Sequence, residues 1–283
     1  MNDNYRIYHQ HISSKRRFLS FRFREIFTYK DLIRFYMHKN IVTTYRQTVL
    51  GPVWLFLSPF LNSLLQMFIF GYLAGFKTGG VPKIIFYLFS NTAWQLYSRT
   101  VNSDSQIFSQ NVNLFGKVFF PRLTISYANL LSAATIIGAQ TVMNFIFFFF
   151  FLLRQEVALS PAFLCMIVPM AQLALLGQGT GLLYAAVMVR YRDLRQVFPV
   201  ITRVLMYVSP VVYPLSQIQN NTLRKIMLCS PFCAPLELLR AVIWNAPYPP
   251  VWSVVCSFVL SVIVNVLGIL VFHYVEKDFV DSI

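Results

Sequence analysis

The residues that could carry out chemistry in this chain are few and lie far apart. Asp104 and Asp193 are single carboxylates between apolar segments, whereas a membrane-bound glycan enzyme needs paired carboxylates or an acidic metal site. Gly116 and Lys117 lack the earlier glycine and the following hydroxyl of a phosphate-binding loop, so ATP is not expected to bind in such a cradle. No metal-ligand spacing links the histidines, which are His9, His11, His38 and His273. The sequence therefore predicts no catalytic centre, cofactor or metal on this chain.

The composition explains this scarcity, because it is typical of an integral membrane protein. Only 12% of the residues are charged and 57% are hydrophobic, whereas soluble domains carry roughly 25% charged residues. Apolar runs of about 20 residues recur along the chain and are long enough to cross a bilayer. These runs contain almost no carboxylate, which disfavours a proton-coupled transporter. Energy must therefore come from another polypeptide, or the protein is passive.

The formal net charge of +14 is distributed as membrane orientation requires, rather than as in a nucleic-acid-binding protein. Ten of the 24 Lys and Arg residues fall within residues 1–50, and most of the others lie in short loops between apolar runs. With both termini in the cytoplasm, 18 of these residues lie inside and six outside, which supports that orientation. Residues 1–28 and 276–283 are accordingly predicted to be cytoplasmic tails.

Residues 29–50 are predicted to form an amphipathic helix. Apolar side chains recur at helical intervals and form one face, made of Tyr29, Leu32, Ile33, Tyr36, Met37 and Ile41. The charged side chains lie mostly on the other face, as Lys30, Asp31, Arg34, His38 and Lys39. Such a helix lies in the membrane interface or packs against a partner protein, and the sequence leaves both interpretations open.

The predicted fold is an all-α integral membrane domain over residues 51–275, with six transmembrane helices. The spans cover residues 51–76, 84–100, 126–153, 162–189, 197–215 and 252–274. Residues 216–250 contain two short apolar stretches interrupted by Pro231 and Pro235, which predicts a re-entrant outer hairpin between the last two spans. Gly177, Gly179 and Gly181 in the fourth span predict that neighbouring helices approach closely there.

Residues 101–125 form a polar segment between the second and third spans. Ser, Asp and Asn side chains at its beginning suit the start of a helix, and Pro121 and Arg122 precede the next span at a membrane surface. The charge distribution predicts that this segment is cytoplasmic. Because no phosphate-binding loop is recognised in this chain, we expect a separate energy-supplying protein to contact the membrane domain here.

Aromatic residues are abundant, with 28 Phe, 15 Tyr and 4 Trp. Most are expected to face lipid or to form belts at the membrane interfaces. A pore that slides a sugar polymer would also use rings, because strong fixed hydrogen bonds would stall transit. The candidates for such channel aromatics are Trp54, Phe60, Trp94 and Tyr97, together with the phenylalanines at residues 147–151.

Several motifs occur in a set order between residues 29 and 245. They are residues 45–54 with Pro59, then Trp94, residues 111–122, residues 190–193, residues 209–214, and residues 230–240. Taken together they resemble the transmembrane subunit of ABC-2 type exporters, in the polysaccharide and teichoic-acid branch. The chain departs from that pattern with Asn91 where a glycine is common, Gly116 where a lysine is common, and Ser230 where an asparagine is usual.

The resemblance implies that two copies pair to form a channel in the bacterial inner membrane, and that each copy docks a separate ABC ATPase. ATP and Mg²⁺ would then bind to the ATPase and not to this chain. The implied cargo is an undecaprenyl-diphosphate-linked polysaccharide of the O-antigen, capsule or teichoic-acid type. No nucleic acid is expected among the partners.

The resemblance also implies roles for individual residues. Contact with the ATPase would involve Asp104, Gln106, Ile107, Phe108, Asn111, Leu114 and Phe115. A lipid diphosphate would be met at the cytoplasmic side by Arg46, Lys117 and Arg122, for each of which contact with a lipid headgroup is the alternative. The outer gate would include Tyr213, Glu237 and Arg240.

Two other functional hypotheses are compatible with parts of the sequence. The first, within the same fold, is an ABC-2 exporter of a small drug or lipid. The second, from a different class, is a membrane-bound glycan enzyme, which the lack of carboxylates in the spans disfavours. A gene for an ATPase lying among glycosyltransferase genes would favour the polysaccharide exporter over both.

Overall fold

The computed structural model describes residues 29–45, 51–111, 120–191 and 193–280, and within these ranges it is helical without strands. The predicted all-α fold class is therefore confirmed. In chain order the helices are α1 (Lys30–Tyr45), α2 (Trp54–Gln66), α3 (Lys83–Ser105), α4 (Ile107–Gln110), α5 (Leu123–Leu153), α6 (Ile167–Arg190), α7 (Leu194–Val208), α8 (Asn221–Leu228), α9 (Cys233–Trp244) and α10 (Val251–Val280). A 3₁₀ turn precedes α2 (Gly51–Val53) and another precedes α6 (Phe163–Met166), while a π-helical segment (Met67–Leu73) extends α2.

Four helical segments are long and apolar enough to cross a membrane. They are Gly51–Leu73, Leu123–Leu153, Phe163–Arg190 and Val251–Glu276, and they match the first, third, fourth and sixth predicted spans. Helices α8 and α9 are long and apolar enough to cross only when taken together, and they are bent by 89° relative to each other. The protein is thus a multi-pass membrane protein with four or five candidate spans, and the predicted number of six is not confirmed.

The second and fifth predicted spans form helices that are not both long and apolar enough to be counted among these candidate spans. Helix α3 is long enough but carries several buried polar residues, among them Ser90, Asn91 and Thr92. It lies between other helices, so its surface need not be apolar. Helix α7 has 15 residues, a rise of only about 22 Å. The predicted span of residues 197–215 ends early because Pro210 favours extended backbone at the preceding Ser209, whose ψ is 155°.

Helix α1 packs along α5 through its apolar face. Tyr36 is buried, whereas Arg34, His38 and Lys39 are exposed on the other face, as the periodicity predicts. The Asn40 amide nitrogen donates a hydrogen bond to the amide oxygen of Asn129 in α5 at 2.9 Å. The apolar face of this helix is therefore covered by the chain's own bundle, an arrangement that the sequence did not indicate. The part of the predicted helix at residues 46–50 lies outside the described residues.

Close approach of helices at the glycines of α6 is confirmed. A Cβ atom on Gly179 would lie 2.5 Å from the Cα of Asn265 in α10, and a Cβ on Gly181 would lie 2.7 Å from the Cβ of Asp104 in α3. Neither position has room for a side chain, because real Cβ atoms do not approach other heavy atoms so closely. Helix α6 therefore lies with its backbone against both α3 and α10.

A chain of buried side-chain hydrogen bonds ends on the carboxylate of Asp104. Asp104 is fully buried at the last turn of α3. Its Oδ2 accepts a hydrogen bond from the Ser126 hydroxyl (2.7 Å), and its Oδ1 accepts one from the Asn129 amide (2.9 Å), both from α5. Buried carboxylates need such donors, because an unpaired one is strongly destabilising.

The two α5 donors are themselves held by side chains from other helices. Gln178 of α6 donates to the Ser126 hydroxyl oxygen at 3.0 Å, and Asn265 of α10 donates to the Gln178 amide oxygen at 3.3 Å. On the other side, the bond from Asn40 to Asn129 brings in α1. This series of hydrogen bonds thus connects five helices at this end of the bundle. Each bond in the series is donated in the direction of the Asp104 carboxylate.

We predict that Asp104→Leu destabilises the protein, because it leaves the Ser126 and Asn129 donors buried without an acceptor. The expected loss is about 1–3 kcal/mol for each donor. Asp104→Asn keeps one acceptor and should lose less. Thermal unfolding of the purified protein in detergent measures the effect. The matched control is Asn102→Leu, since Asn102 is half-buried and, within the described residues, its side chain donates only to Ser98 of the same helix. Equal melting temperatures for Asp104→Leu and the control would contradict a stabilising role.

Candidate functional site

The residues predicted to contact an ATPase lie at the end of α3 and in α4, but several of them face inward. Asp104, Ile107 and Phe108 are buried. The ring of Phe108 stacks on that of Phe272 in α10, with 4.8 Å between their centroids. Gln106 and Asn111 are half-buried, while Leu114 and Phe115 lie outside the described residues. Asp104, Ile107 and Phe108 therefore anchor this region to the bundle.

In the described part of this region, two polar side chains that were not predicted from the sequence are exposed. Ser109 and Gln110 of α4 are exposed. Local hydrogen bonds hold them in place, with Gln110 Nε2 donating to Gln106 Oε1 at 2.8 Å and Ser109 Oγ donating to the Gln106 carbonyl at 3.1 Å. The short helix therefore offers a polar outer face on an apolar base.

The arginine predicted to meet a lipid diphosphate is paired within the chain. Arg122, just before α5, is buried, and its Nε lies 3.8 Å from Oε1 of Glu276 near the end of α10. Its Nη1 also donates to the Glu276 carbonyl oxygen at 3.4 Å. Burial lowers the pKa of Arg122, and the Glu276 carboxylate partly offsets that shift. Arg122 thus links two helix ends, while Arg46 and Lys117 lie outside the described residues.

The four candidate channel aromatics are not brought together. Trp94 and Tyr97 of α3 are buried with Phe232, and the Trp94 and Tyr97 ring centroids lie 5.4 and 4.9 Å from that of Phe232. Phe60 of α2 is half-buried and stacks on Phe147 of α5 at 5.2 Å. Of the four, only Trp54, at the start of α2, is exposed. Within this chain, Trp94 and Tyr97 serve the core and not a surface.

Two of the three predicted gate residues form a buried ion pair. The Nη1 of Arg240 in α9 lies 2.8 Å from Oε1 of Glu237, one helical turn earlier. Its Nη2 donates to the Ser90 hydroxyl of α3 at 2.9 Å and to the Pro210 carbonyl at 2.5 Å. The guanidinium also lies over the Phe86 ring, 4.1 Å from its centroid. One side chain thereby connects α9 with α3 and with the segment after α7.

The other partners of this pair extend the connection. The Glu237 carboxylate accepts a hydrogen bond from the backbone N–H of Leu215 at 2.9 Å. The third gate residue, Tyr213, donates its hydroxyl proton to the Val208 carbonyl at 2.7 Å and does not contact the ion pair in the described residues. Residues 209–215 are therefore held against α9 by Glu237 and Arg240 and against α7 by Tyr213.

Several residues important to these sites were not identified from the sequence. Ser90 accepts from Arg240, and Asn129 and Gln178 belong to the chain of hydrogen bonds around Asp104. The available signal was the position of each polar side chain inside an otherwise apolar run, where it must find a partner within the protein. That signal indicates burial but does not identify the partner.

We predict that Arg240→Met lowers stability by about 3–5 kcal/mol, because it leaves the Glu237 carboxylate without its counter-charge in a buried site. The double variant Glu237→Gln with Arg240→Met should recover part of this loss, since no uncompensated charge remains. Thermal unfolding in detergent measures both changes. The exposed Arg224 of α8 gives the matched control, and Arg224→Met should change stability by less than about 0.5 kcal/mol. A double variant as unstable as Arg240→Met alone would contradict this account.

Three curated proteins are similar to this chain along nearly its whole length. The O-antigen export system permease protein RfbA of Myxococcus xanthus is 24% identical over 266 residues, which cover 92% of this chain and 98% of that protein. Two proteins of the same description from Klebsiella pneumoniae are each 19% identical, over 252 and 256 residues, and cover 89% of this chain.

A family model provides the assignment that these low identities alone do not. The model for the ABC-2 type transporter matches residues 31–244. The match begins in α1 and ends at the last residue of α9, so it includes both the Asp104 network and the Glu237–Arg240 pair. Because it covers most of the chain, the protein belongs to the ABC-2 type transporter family.

Proposed function

We propose that this protein is the membrane-spanning permease subunit of an ATP-driven exporter of O-antigen or a related lipid-linked polysaccharide, such as a capsule or teichoic-acid polymer. The observation that carries this proposal is full-length similarity to permeases named for O-antigen export, within a family of transporters. The expected cargo is linked to undecaprenyl diphosphate. The buried Asp104 and the paired Glu237 are engaged in structural contacts, which agrees with a subunit that transports and does not catalyse.

The energy is proposed to come from a separate ABC ATPase that binds ATP and Mg²⁺. Two copies of this chain would pair, each with one ATPase subunit. The surface available for docking combines Ser109 and Gln110 of α4 with the exposed, mainly basic face of α1. Behind that surface, Phe108 packs on α10 and Asn40 bonds to α5. A displacement at α4 or α1 would therefore reach the spans through direct contacts.

The proposed topology has six spans, with both termini in the cytoplasm of a bacterial inner membrane. Helices α3 and α7 would provide the second and fifth spans. The former is covered by neighbouring helices and the latter lies beside α2. Helices α8 and α9 would form the re-entrant outer hairpin, since neither crosses alone and they are bent by 89°. The Glu237–Arg240 pair would hold this hairpin as an outer gate.

The deletion of the gene tests the proposed cargo. We expect undecaprenyl-linked polymer to accumulate in the cytoplasm and surface polymer to be lost, because synthesis continues without export. Fractionation and immunodetection of the glycan in spheroplasts measure this. Restoring the wild-type gene should restore surface polymer, which excludes an effect of the deletion on neighbouring genes. If no lipid-linked polymer accumulates, the polysaccharide proposal fails, and a defect confined to drug resistance or lipid composition would favour an exporter of small molecules.

Site-directed cross-linking tests the docking surface. With cysteines introduced singly at Ser109 and Gln110, we expect cross-links to the copurifying ATPase, because both side chains are exposed on α4. The control is Ser216→Cys, which is exposed at the opposite end of the bundle near the start of α3. The wild-type protein gives the background from the exposed Cys165 and Cys229. Equal cross-linking at residues 109 and 216 would contradict docking at α4.

A further inference from the structure

We propose that Arg203 of α7 lines a water-filled translocation path near the middle of the membrane, where it contacts the phosphate or carboxylate groups of an acidic glycan. This inference rests on the proposed function and adds the chemical class of the cargo. Its basis is an exposed arginine that has no partner among the described residues, at a depth where a charge cannot face lipid.

The depth of Arg203 follows first from the contact of α7 with α2. The Gln66 amide lies 3.8 Å from the sulfur of Met206, so these residues are at one level. Gln66 follows Gly51, the start of its span, by about 22 Å of helix rise. Arg203 precedes Met206 by three residues, which places it roughly 18 Å from the Gly51 end. A bilayer core is about 30 Å thick, so this level is near its centre.

The contact of α7 with α6 gives the same depth independently. The rings of Tyr184 and Phe198 stack with 3.9 Å between centroids. Tyr184 lies about 9 Å of helix rise from Arg190, the end of its span, and α7 runs away from that end. Arg203 follows Phe198 by five residues, so it lies roughly 16 Å from the Arg190 end. Both estimates place the side chain in the middle of the hydrocarbon layer.

The side chain of Arg203 is exposed, and it has no hydrogen bond or ion pair with the part of the chain that the structure describes. Its neighbours on the helix, Val200, Val204 and Tyr207, are also exposed. A charged side chain at this depth is costly in lipid and too far from either surface to reach the headgroups, so it marks a water-filled cavity or a polar partner. Asn62 of α2, one turn before Gln66 and also exposed, adds a second polar group near this level.

The chemical class of the polymer that passes Arg203 follows from the positive charge of this side chain and from the need for the polymer to keep moving along the path. A guanidinium presents several N–H donors and matches phosphate and carboxylate groups. In a wet path such a contact is weak, because water screens it, so an acidic polymer can slide past without stalling. The same cation would not distinguish among neutral sugars. We therefore assign Arg203 a role in selecting an acidic glycan, held transiently by its charge.

Cysteine accessibility tests the water-filled path. In membranes containing the complex with its ATPase, Arg203→Cys should react with the anionic thiol reagent MTSES at least ten-fold faster than Ile263→Cys. Ile263 is an exposed residue at the middle of the α10 span and is expected to face lipid. The wild-type protein, with its native cysteines, provides the background. Equal rates for the two variants would overturn the proposal, and this readout does not depend on transport.

Charge variants test the role in export. At matched expression, Arg203→Lys should export near the wild-type level, Arg203→Gln several-fold less, and Arg203→Glu at least ten-fold less. Arg195→Gln, at the exposed start of the same helix, should export normally. Equal export by Arg203→Glu and wild type, or a surface glycan without phosphate or carboxylate groups, would overturn the inference. Slow MTSES labelling of Arg203→Cys would overturn the water-filled path but would not contradict the proposed export function. A gene deletion that causes no accumulation of lipid-linked glycan would contradict the export function but would not bear on the water-filled path.

Discussion

The structure depends on the burial of one carboxylate, that of Asp104. In a low-dielectric interior this group requires donors, and the chain supplies them from two residues of α5 that are themselves held from α1, α6 and α10. The glycine at residue 181 allows α6 to approach the same carboxylate closely. Sliding α3 along its neighbours would break several of these bonds together. The end of the bundle nearest the proposed ATPase is thereby fixed in register.

Helix α3 carries a comparable connection at its other end. Ser90 accepts a hydrogen bond from Arg240, and Phe86 lies beneath the same guanidinium. One helix thus joins the network around Asp104 to the Glu237–Arg240 ion pair of α9. This dual role accounts for buried polar residues such as Ser90 and Asp104 in α3, since both form hydrogen bonds within the protein. The proposed translocation path lies instead beside α2 and α7, which have few buried residues.

Much of this fold could be predicted from the sequence, because lipid-facing helices must be apolar and amphipathic helices keep their period. Four spans and the apolar face of α1 were found in this way. The position of Asp104 was not, because a carboxylate between two spans resembles a solvated loop residue, and Asn129 is 25 positions away. Arg203 was counted among the 18 inner charges, since basic residues usually stay in the cytoplasm, although the predicted fifth span (residues 197–215) contains it and the structure places it within α7. Tertiary contacts, which no local pattern encodes, decided both cases.

The contact between Gly179 and Gly268 affects how the molecule can deform. With no side chains between them, the backbones of α6 and α10 meet directly, and the Asn265 amide donates to the Leu175 carbonyl beside this contact at 3.0 Å. Two helices joined in this way resist bending far more than either does alone. They form a stiff beam through the molecule. Helices α2 and α7, by contrast, have few buried residues, so fewer close contacts oppose a shift of that flank than oppose a shift of α6 against α10.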